Sequence, residues 1–171
     1  FVGRLSNQKN LENIINAIKS TNFRLDIYGE GEEKENLNKL ASKNNVNIKF
    51  KGLIENSKLP LIFNDYKYYI LASHYEGMPK TLLEAMASGC LCIGTNVDGI
   101  NEVIEHNKNG ILINNTDSNS ILNILNILEN IEPSFYKTLT SNGVKTIEET
   151  FSLASIAKKE KKLINNLMES K

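Results

Sequence analysis

Apolar runs and amphipathic segments take turns along the first two thirds of this sequence, and that alternation restricts the fold more than any other feature. "FVG" opens on apolar residues and a glycine. Gln8 to Ser20 places Leu11, Ile14, Ile15 and Ile18 at helical spacing, and Arg24 to Tyr28, "RLDIY", reads as a short strand closed by Gly29 and Gly31. Glu32 to Lys43 returns to helical spacing with Leu37, Leu40 and Ala41 on one face, and "VNIKFKG" is again a strand. Leu59 to Tyr66, with Pro60 near its start, predicts a helix; "YYILAS" is a continuous apolar run of the kind buried on both faces. A helix over 79–88, the strand "LCIGT", a short helix from Asn101 to Glu105 and the strand "GILI" follow. Such alternation implies a parallel sheet with helices on both faces.

The last third changes character. "SILNILNILENI" repeats Ile and Leu at helical spacing, and two further helices are expected around Phe135 to Glu149 and Ser152 to Met168, with no strand between them. The expected architecture is therefore one domain over 1–171, an α/β core over 1–130 and C-terminal helices over 131–171. A chain of 171 residues is long enough for one sizeable core and short for two. The first residue reads as the middle or end of a strand, so the sequence is expected to be a piece of a longer protein.

Charge and composition exclude several functions. Twenty Lys and Arg balance twenty Asp and Glu, so no overall field draws the chain to nucleic acid or to an anionic membrane. No window approaches the roughly twenty apolar residues of a membrane span, and no charged leader precedes an apolar block. A cytoplasmic location is the resulting expectation. Cys90 and Cys92 read as core packing in a reducing compartment. His74 and His106 lie too far from the cysteines for a zinc site, and no Asp-x-Asp triplet signals a metal that would hold a diphosphate, so no metal is expected. "GEGEE" matches neither a dinucleotide fingerprint nor a phosphate loop.

In open parallel sheets ligands bind at the carboxyl ends of the strands. Here those loops are "GRLSNQKN", "GEGEE", "KGLIEN", "SHYEGMPK" and "TNVDGIN", each containing glycine. The stretch "EGMPKTLLEAMASG" is the most informative. Pro79 suits the first turn of a helix, which leaves the N–H groups of Lys80 and Thr81 free at an end that attracts anions. Thr81, Glu84 and Ser88 then form a narrow polar stripe. Glu84 fits two readings, a carboxylate that accepts the paired hydroxyls of a ribose or the wet face of an ordinary helix, and the local pattern does not choose between them. Arg4 and Lys9, around one turn, suit a diphosphate clamp, and Lys9 equally suits a solvated first helical turn.

In this order the motifs resemble glycosyltransferase family 4, specifically the C-terminal, donor-binding half of its GT-B architecture. "FVGRLSNQKN" is similar to the opening of that half, "LDIYGEGEE" to its next strand and turn, and "IKFKGLIEN" to its base-contacting strand end. "LASHYEGMPKTLLEAMASGCLCIGTNVDGINEVIEHNKNGILI" is similar to its central signature throughout. The likeness covers residues 1 to 130 or so and implies a Rossmann-like three-layer sandwich. Asn10 departs from the commonest pattern by standing where glycine often follows the lysine, a mild change at a helix start, and Leu91 stands where proline is frequent.

The resemblance also implies roles. Arg4 and Lys9 match the pair that neutralises the donor diphosphate, and Glu76 and Glu84 match the two glutamates separated by seven residues. The first of these glutamates lies by the sugar and the second binds the ribose. The backbone from Gly77 through Met78, Pro79 and Lys80 to Thr81 contacts sugar and phosphate, and Leu53 and Ile54 meet the nucleobase. Gly3 belongs to the same donor site. The partner so implied is a nucleoside-diphosphate sugar such as a UDP-sugar, with no cofactor beyond it, in the synthesis of a glycan such as a capsule or lipopolysaccharide. The acceptor domain and any membrane contact, at the inner face of the membrane, are expected to lie in an N-terminal half outside this sequence, and the isolated piece is expected to be inactive. A GT-B epimerase and a non-catalytic nucleotide-sugar-binding module are the alternatives.

Overall fold

The computed structural model describes residues 1–169. Five strands stand among the described residues, with helices between successive ones as far as β4: β1 (Leu25–Tyr28), β2 (Ile48–Gly52), β3 (Tyr68–Leu71), β4 (Leu91–Thr95) and β5 (Ile111–Ile113). Every strand pairing is parallel. Hydrogen bonding divides the expected single sheet into two, β1 paired with β2, and β3, β4 and β5 side by side in that order. The opening residues form a further short extended segment, where Val2 bridges Tyr28 in parallel and Gly3 N–H donates to the Tyr28 carbonyl at 2.9 Å. All five residues of β4 are buried, the signature of a strand covered on both faces.

Helices cover the strands. Helix α1 (Leu11–Ile18) turns Leu11, Ile14, Ile15, Ala17 and Ile18 inward. Helix α2 (Lys34–Lys43) buries Leu37 and Ala41, the short α3 (Leu59–Phe63) buries both its end residues, and α4 (Lys80–Ala87) buries Leu82, Ala85 and Met86. Helix α5 (Ser118–Glu129) starts on a side-chain cap, in which Asp117 accepts from the N–H groups of Asn119 and Ser120. Helix α6 (Pro133–Thr146) passes into a π turn (Ile147–Phe151) before α7 (Leu153–Glu169). α6 comes close to α4 because Gly143 is buried there, where a Cβ would stand 3.0 Å from Met86 Cγ.

One expected element is absent. Residues 101–103 make a turn and residues 104 and 105 have no regular structure, in place of the short helix read from the sequence. The physical reason lies in Asn109: its Oδ1 takes the Glu105 N–H at 2.7 Å, and its amide donates to the Val103 carbonyl at 3.0 Å. A side chain has displaced the helical partner. The first helix also begins later than its periodicity suggests, at Leu11, after a tight turn over Asn7–Lys9 and the left-handed residue Asn10. Both cysteines are free and buried, Cys90 with its thiol pushed up to about 11 by burial.

Candidate functional site

Within each sheet the parallel strands send their carboxyl ends to one edge, and the loop after Val2 touches both sets, Gly3 against Gly29 and Lys9 against Glu76, so the loops after Val2, β1, β2, β3 and β4 gather there. Close backbone packing holds them together. Gly29 adopts φ +140°, and a Cβ on it would lie 1.8 Å from the Gly3 carbonyl oxygen; its N–H donates to the Gly52 carbonyl at 2.8 Å. Gly99, at φ +78°, meets the Gly77 carbonyl in the same way, which fixes the loop carrying Glu76 against the loop after β4.

Lys9 and Glu76, 67 residues apart, meet in this edge. Lys9 Nζ donates to Glu76 Oε1 at 2.6 Å, and Ser73 Oγ donates to the same oxygen at 2.6 Å. The side chains are 19% and 8% exposed, so the carboxylate is largely withdrawn from water and depends on these two partners. Oε2 has no hydrogen-bond partner among the described residues. Ser73 is itself fixed, since its carbonyl accepts from Thr95 Oγ1 at 2.6 Å. The site therefore presents a held carboxylate with one oxygen free, beside an ammonium.

The start of α4 lies three residues beyond Gly77. Pro79 precedes the helix as its cap residue, and the Pro79 carbonyl takes the Leu82 and Leu83 N–H groups. The N–H groups of Lys80 and Thr81 come before that first bonded turn and are available to an anion. Pro79 is buried, while Gly77, Met78 and Lys80 are exposed. Thr81 is half-buried, and its Oγ1 lies 2.7 Å from the buried Tyr69 hydroxyl, which also donates to the Val2 carbonyl at 3.3 Å. Glu84 is half-buried with no protein donor on its carboxylate among the described residues; burial raises its pKa and the Lys80 charge opposes that rise.

Not every residue read from the sequence joins this group. Arg4 points to the loop after β1, where it pairs with Glu32 at 3.3 Å, and both side chains are more than half exposed. The two cations thus stand apart as partners of different acids. Leu53 is 79% exposed beyond the end of β2, and Ile54 is half-buried. Sequence reasoning missed Ser73, Thr95, Tyr69 and Gly99, all of which act by contacts across the chain. It also treated Asn10 as a mild departure, whereas the residue is buried and bonded on all sides. Among the described residues no three His, Cys, Asp or Glu side chains gather as a metal-binding group, and no helix is long and apolar enough to cross a membrane.

Known proteins share this arrangement of chain. The chain is 37% identical over 116 residues to the GtfA subunit of a UDP-N-acetylglucosamine–peptide N-acetylglucosaminyltransferase from Streptococcus agalactiae, covering 64% of this chain and 23% of that protein. The O-antigen biosynthesis glycosyltransferase WbnH of Escherichia coli is 32% identical over 149 residues, 86% of this chain and 42% of its own length. The sequence thus spans less than half the length of either relative. Among solved structures, Anabaena Alr3699/HepE in complex with UDP and glucose superimposes with a TM-score of 0.86 at 20% identity, over 97% of this chain and 48% of that one, a likeness of fold. A sequence profile of the family described as Glycosyl transferases group 1 matches residues 1–146, and the chain belongs to that family, with the Rossmann-like fold of one half of a GT-B glycosyltransferase.

Proposed function

We propose that this chain is the donor-binding half of a family 4 glycosyltransferase, one that moves a hexose or related sugar from a nucleoside diphosphate to an acceptor with retention and without a metal. The observation that carries this reading is the Lys9–Glu76 pair at the carboxyl edge of the sheet, beside the free N–H groups that open α4. UDP is the nucleotide favoured by the names of the relatives, and a surface glycan such as an O-antigen is the class of product. Acceptor contacts belong to an N-terminal domain outside this sequence, and the full-length protein works in the cytoplasm, at the inner face of the membrane where its acceptor requires it.

In the proposed reaction the bond between the anomeric carbon and the diphosphate breaks and a bond to the acceptor oxygen forms. The acceptor's proton ends on the departing diphosphate. Negative charge grows on that leaving group, and Lys9, Arg4, Lys80 and the start of α4 supply the opposing field. Glu76, held by Ser73 through one oxygen, turns the other toward the sugar and stabilises its developing positive charge. Arg4 reaches the phosphates by leaving Glu32, an exchange of one exposed ion pair that costs little. Glu84, which lacks a protein donor, accepts from the ribose hydroxyls, and the loops ending at Leu53 and Ile54 meet the base.

Titrating UDP, GDP and ADP into this chain, into Arg4→Ala and into Glu84→Ala tests the site. One nucleotide should bind best, and each substitution should weaken it about tenfold. Unchanged affinity in both variants sinks the donor-site assignment. Release of nucleoside diphosphate from candidate nucleotide sugars by the full-length protein tests the transfer.

A further inference from the structure

Three consecutive residues before α1 each grip the loop after β3. Gln8 does so twice: its carbonyl accepts from His74 N–H at 2.9 Å, and its Nε2 donates to the Tyr75 carbonyl at 2.8 Å. Lys9 reaches Glu76. Asn10 is the deepest of the three, with only 4% of its surface exposed. Its amide group donates to the Ala72 carbonyl at 2.9 Å and to the Thr116 carbonyl at 2.7 Å, and its Oδ1 accepts from Asn13 Nδ2 at 2.7 Å. Both N–H donors and one acceptor site of a buried amide are used, on three different segments of the chain.

Backbone shape does not by itself call for asparagine here. Asn10 sits at φ 55°, ψ 33°, a left-handed conformation that glycine meets at less cost. What asparagine adds is the tie. Ala72 directly follows β3, four residues before Glu76, and Thr116 stands just ahead of the Asp117 cap of α5. Asn10 thereby fixes the turn that carries Lys9 to the chain just past the carboxyl ends of β3 and β5. The lysine side chain has four flexible torsions and about 2 kcal/mol of rotamer entropy, so its ammonium is placed well only if its backbone is held.

We infer that Asn10 is a positioning residue for Lys9, setting the reach of that ammonium toward both Glu76 and a bound diphosphate; the inference rests on the donor-site reading above. Asn10 touches no ligand in this scheme. Its whole effect on nucleotide affinity passes through Lys9.

That claim is tested by a double-mutant cycle on the affinity of the tightest of UDP, GDP and ADP, measured with this chain as Lys9→Ala, Asn10→Gly and the pair. Asn10→Gly keeps the left-handed turn and removes the tie. Asn10→Ala keeps the Cβ, removes both donors and adds no charge, and serves as the second probe if the glycine variant folds poorly. With Lys9 present each Asn10 variant should weaken binding about fivefold to tenfold, and with Lys9→Ala in place the same change should matter less than about twofold. A merely structural role would lower affinity by the same factor in both backgrounds, and that result overturns the inference while leaving the donor site standing. Lys9→Ala with unaltered affinity would instead remove the donor-site reading, and the role of Asn10 with it.

Discussion

Among the described residues two carboxylates are nearly sealed from water, and they stand in different settings. Glu76 lies at the carboxyl edge of the sheet with a side chain 8% exposed; Asp26 lies inside β1 with a side chain 3% exposed. Each has a hydroxyl and positive charge for company. Glu76 takes Ser73 and Lys9, both on one oxygen. Asp26 accepts from Tyr66 Oη at 2.7 Å, and Tyr66 in turn meets the Tyr28 hydroxyl at 3.0 Å. Lys51 Nζ is 3.6 Å from Oδ2, and Arg24 Nε is 3.3 Å from Oδ1 without the alignment of a hydrogen bond. The same pairing chemistry thus holds an acid inside a strand in one place and, under the proposed function, arms a donor site in the other. Position decides which, because a group in the middle of a strand is covered by neighbours whereas a group past its end is covered only by loops.

The sharpest way to break this contrast is to neutralise each acid and measure transfer by the full-length protein. Glu76→Gln should lower kcat about 100-fold, the scale of losing one electrostatic stabiliser of a transition state, while nucleoside diphosphate binds no more weakly because Lys9 is released from its acid. Asp26→Asn should leave kcat within about twofold. Comparable losses in the two variants would show that the sheet carboxylate also serves the chemistry.

Stability should respond in the opposite order. Burial pushes the Asp26 carboxyl up, but the Tyr66 hydroxyl and the charges of Arg24 and Lys51 outweigh it and hold the group below its ordinary 3.8. A depressed folded value means stability that is fully present above pH 3.8 and is lost as the pH falls through the lower, folded value. Asp26→Asn should cost about 2 kcal/mol near neutrality, the worth of a hydrogen bond to a charged group, and lower Tm by about 4–8 °C. The gap between the two proteins should close below pH 3.8. Chemical denaturation from pH 3 to 7 checks it, and a gap independent of pH would mean that packing, not charge, is what the aspartate supplies.

Much of this was legible in the sequence, for reasons that separate local from long-range causes. Strand and helix identities follow from periodicity, so "LCIGT" is β4 as read, and the apolar faces of α1 and α2 turn inward as their spacing selects, with Leu40 of α2 left half-buried. Glu76, Lys9 and the start of α4 stood out because charge and proline are conspicuous among apolar neighbours. Residues 101–105 were misread because the deciding group, Asn109, competes for backbone from outside the segment. Ser73 and Asn10 were passed over for the same reason: nothing within a few residues of Asn10 announces Ala72 or Thr116 as its partners. Asp26 did carry a signal, a lone acid inside the strand "LDIY", whose partners come from residues 24 to 66.

Removing one hydroxyl from each network is a milder version of the comparison. Tyr66→Phe takes the hydroxyl from Asp26 and Ser73→Ala takes one from Glu76, and each should cost about 1 kcal/mol of stability. The variants should part in function. Tyr66→Phe should turn over as the wild type does, whereas Ser73→Ala loosens the carboxylate and lowers kcat with KM for the nucleotide sugar little changed. A Ser73→Ala protein with unaltered kcat would place Glu76 under the control of Lys9 alone.

Glu84 supplies the smallest effect and the third member of the comparison, an acid with no protein donor among the described residues. Burial raises its carboxyl above the ordinary 4.5, and the Lys80 charge recovers only part of the cost. For an acid, a raised folded value means that the ionised form is disfavoured in the folded state. The penalty is fully present above the folded value and disappears as the pH falls to 4.5. Glu84→Gln should therefore leave the chain slightly more stable at pH 7, by a few tenths of a kcal/mol, with no gain at pH 4, even as nucleotide affinity drops. A saturating nucleoside diphosphate should stabilise the wild type more than the variant, because the ribose hydroxyls would supply the donors that the protein lacks. Equal stabilisation of both by the nucleotide would mean that Glu84 faces solvent and not the ribose.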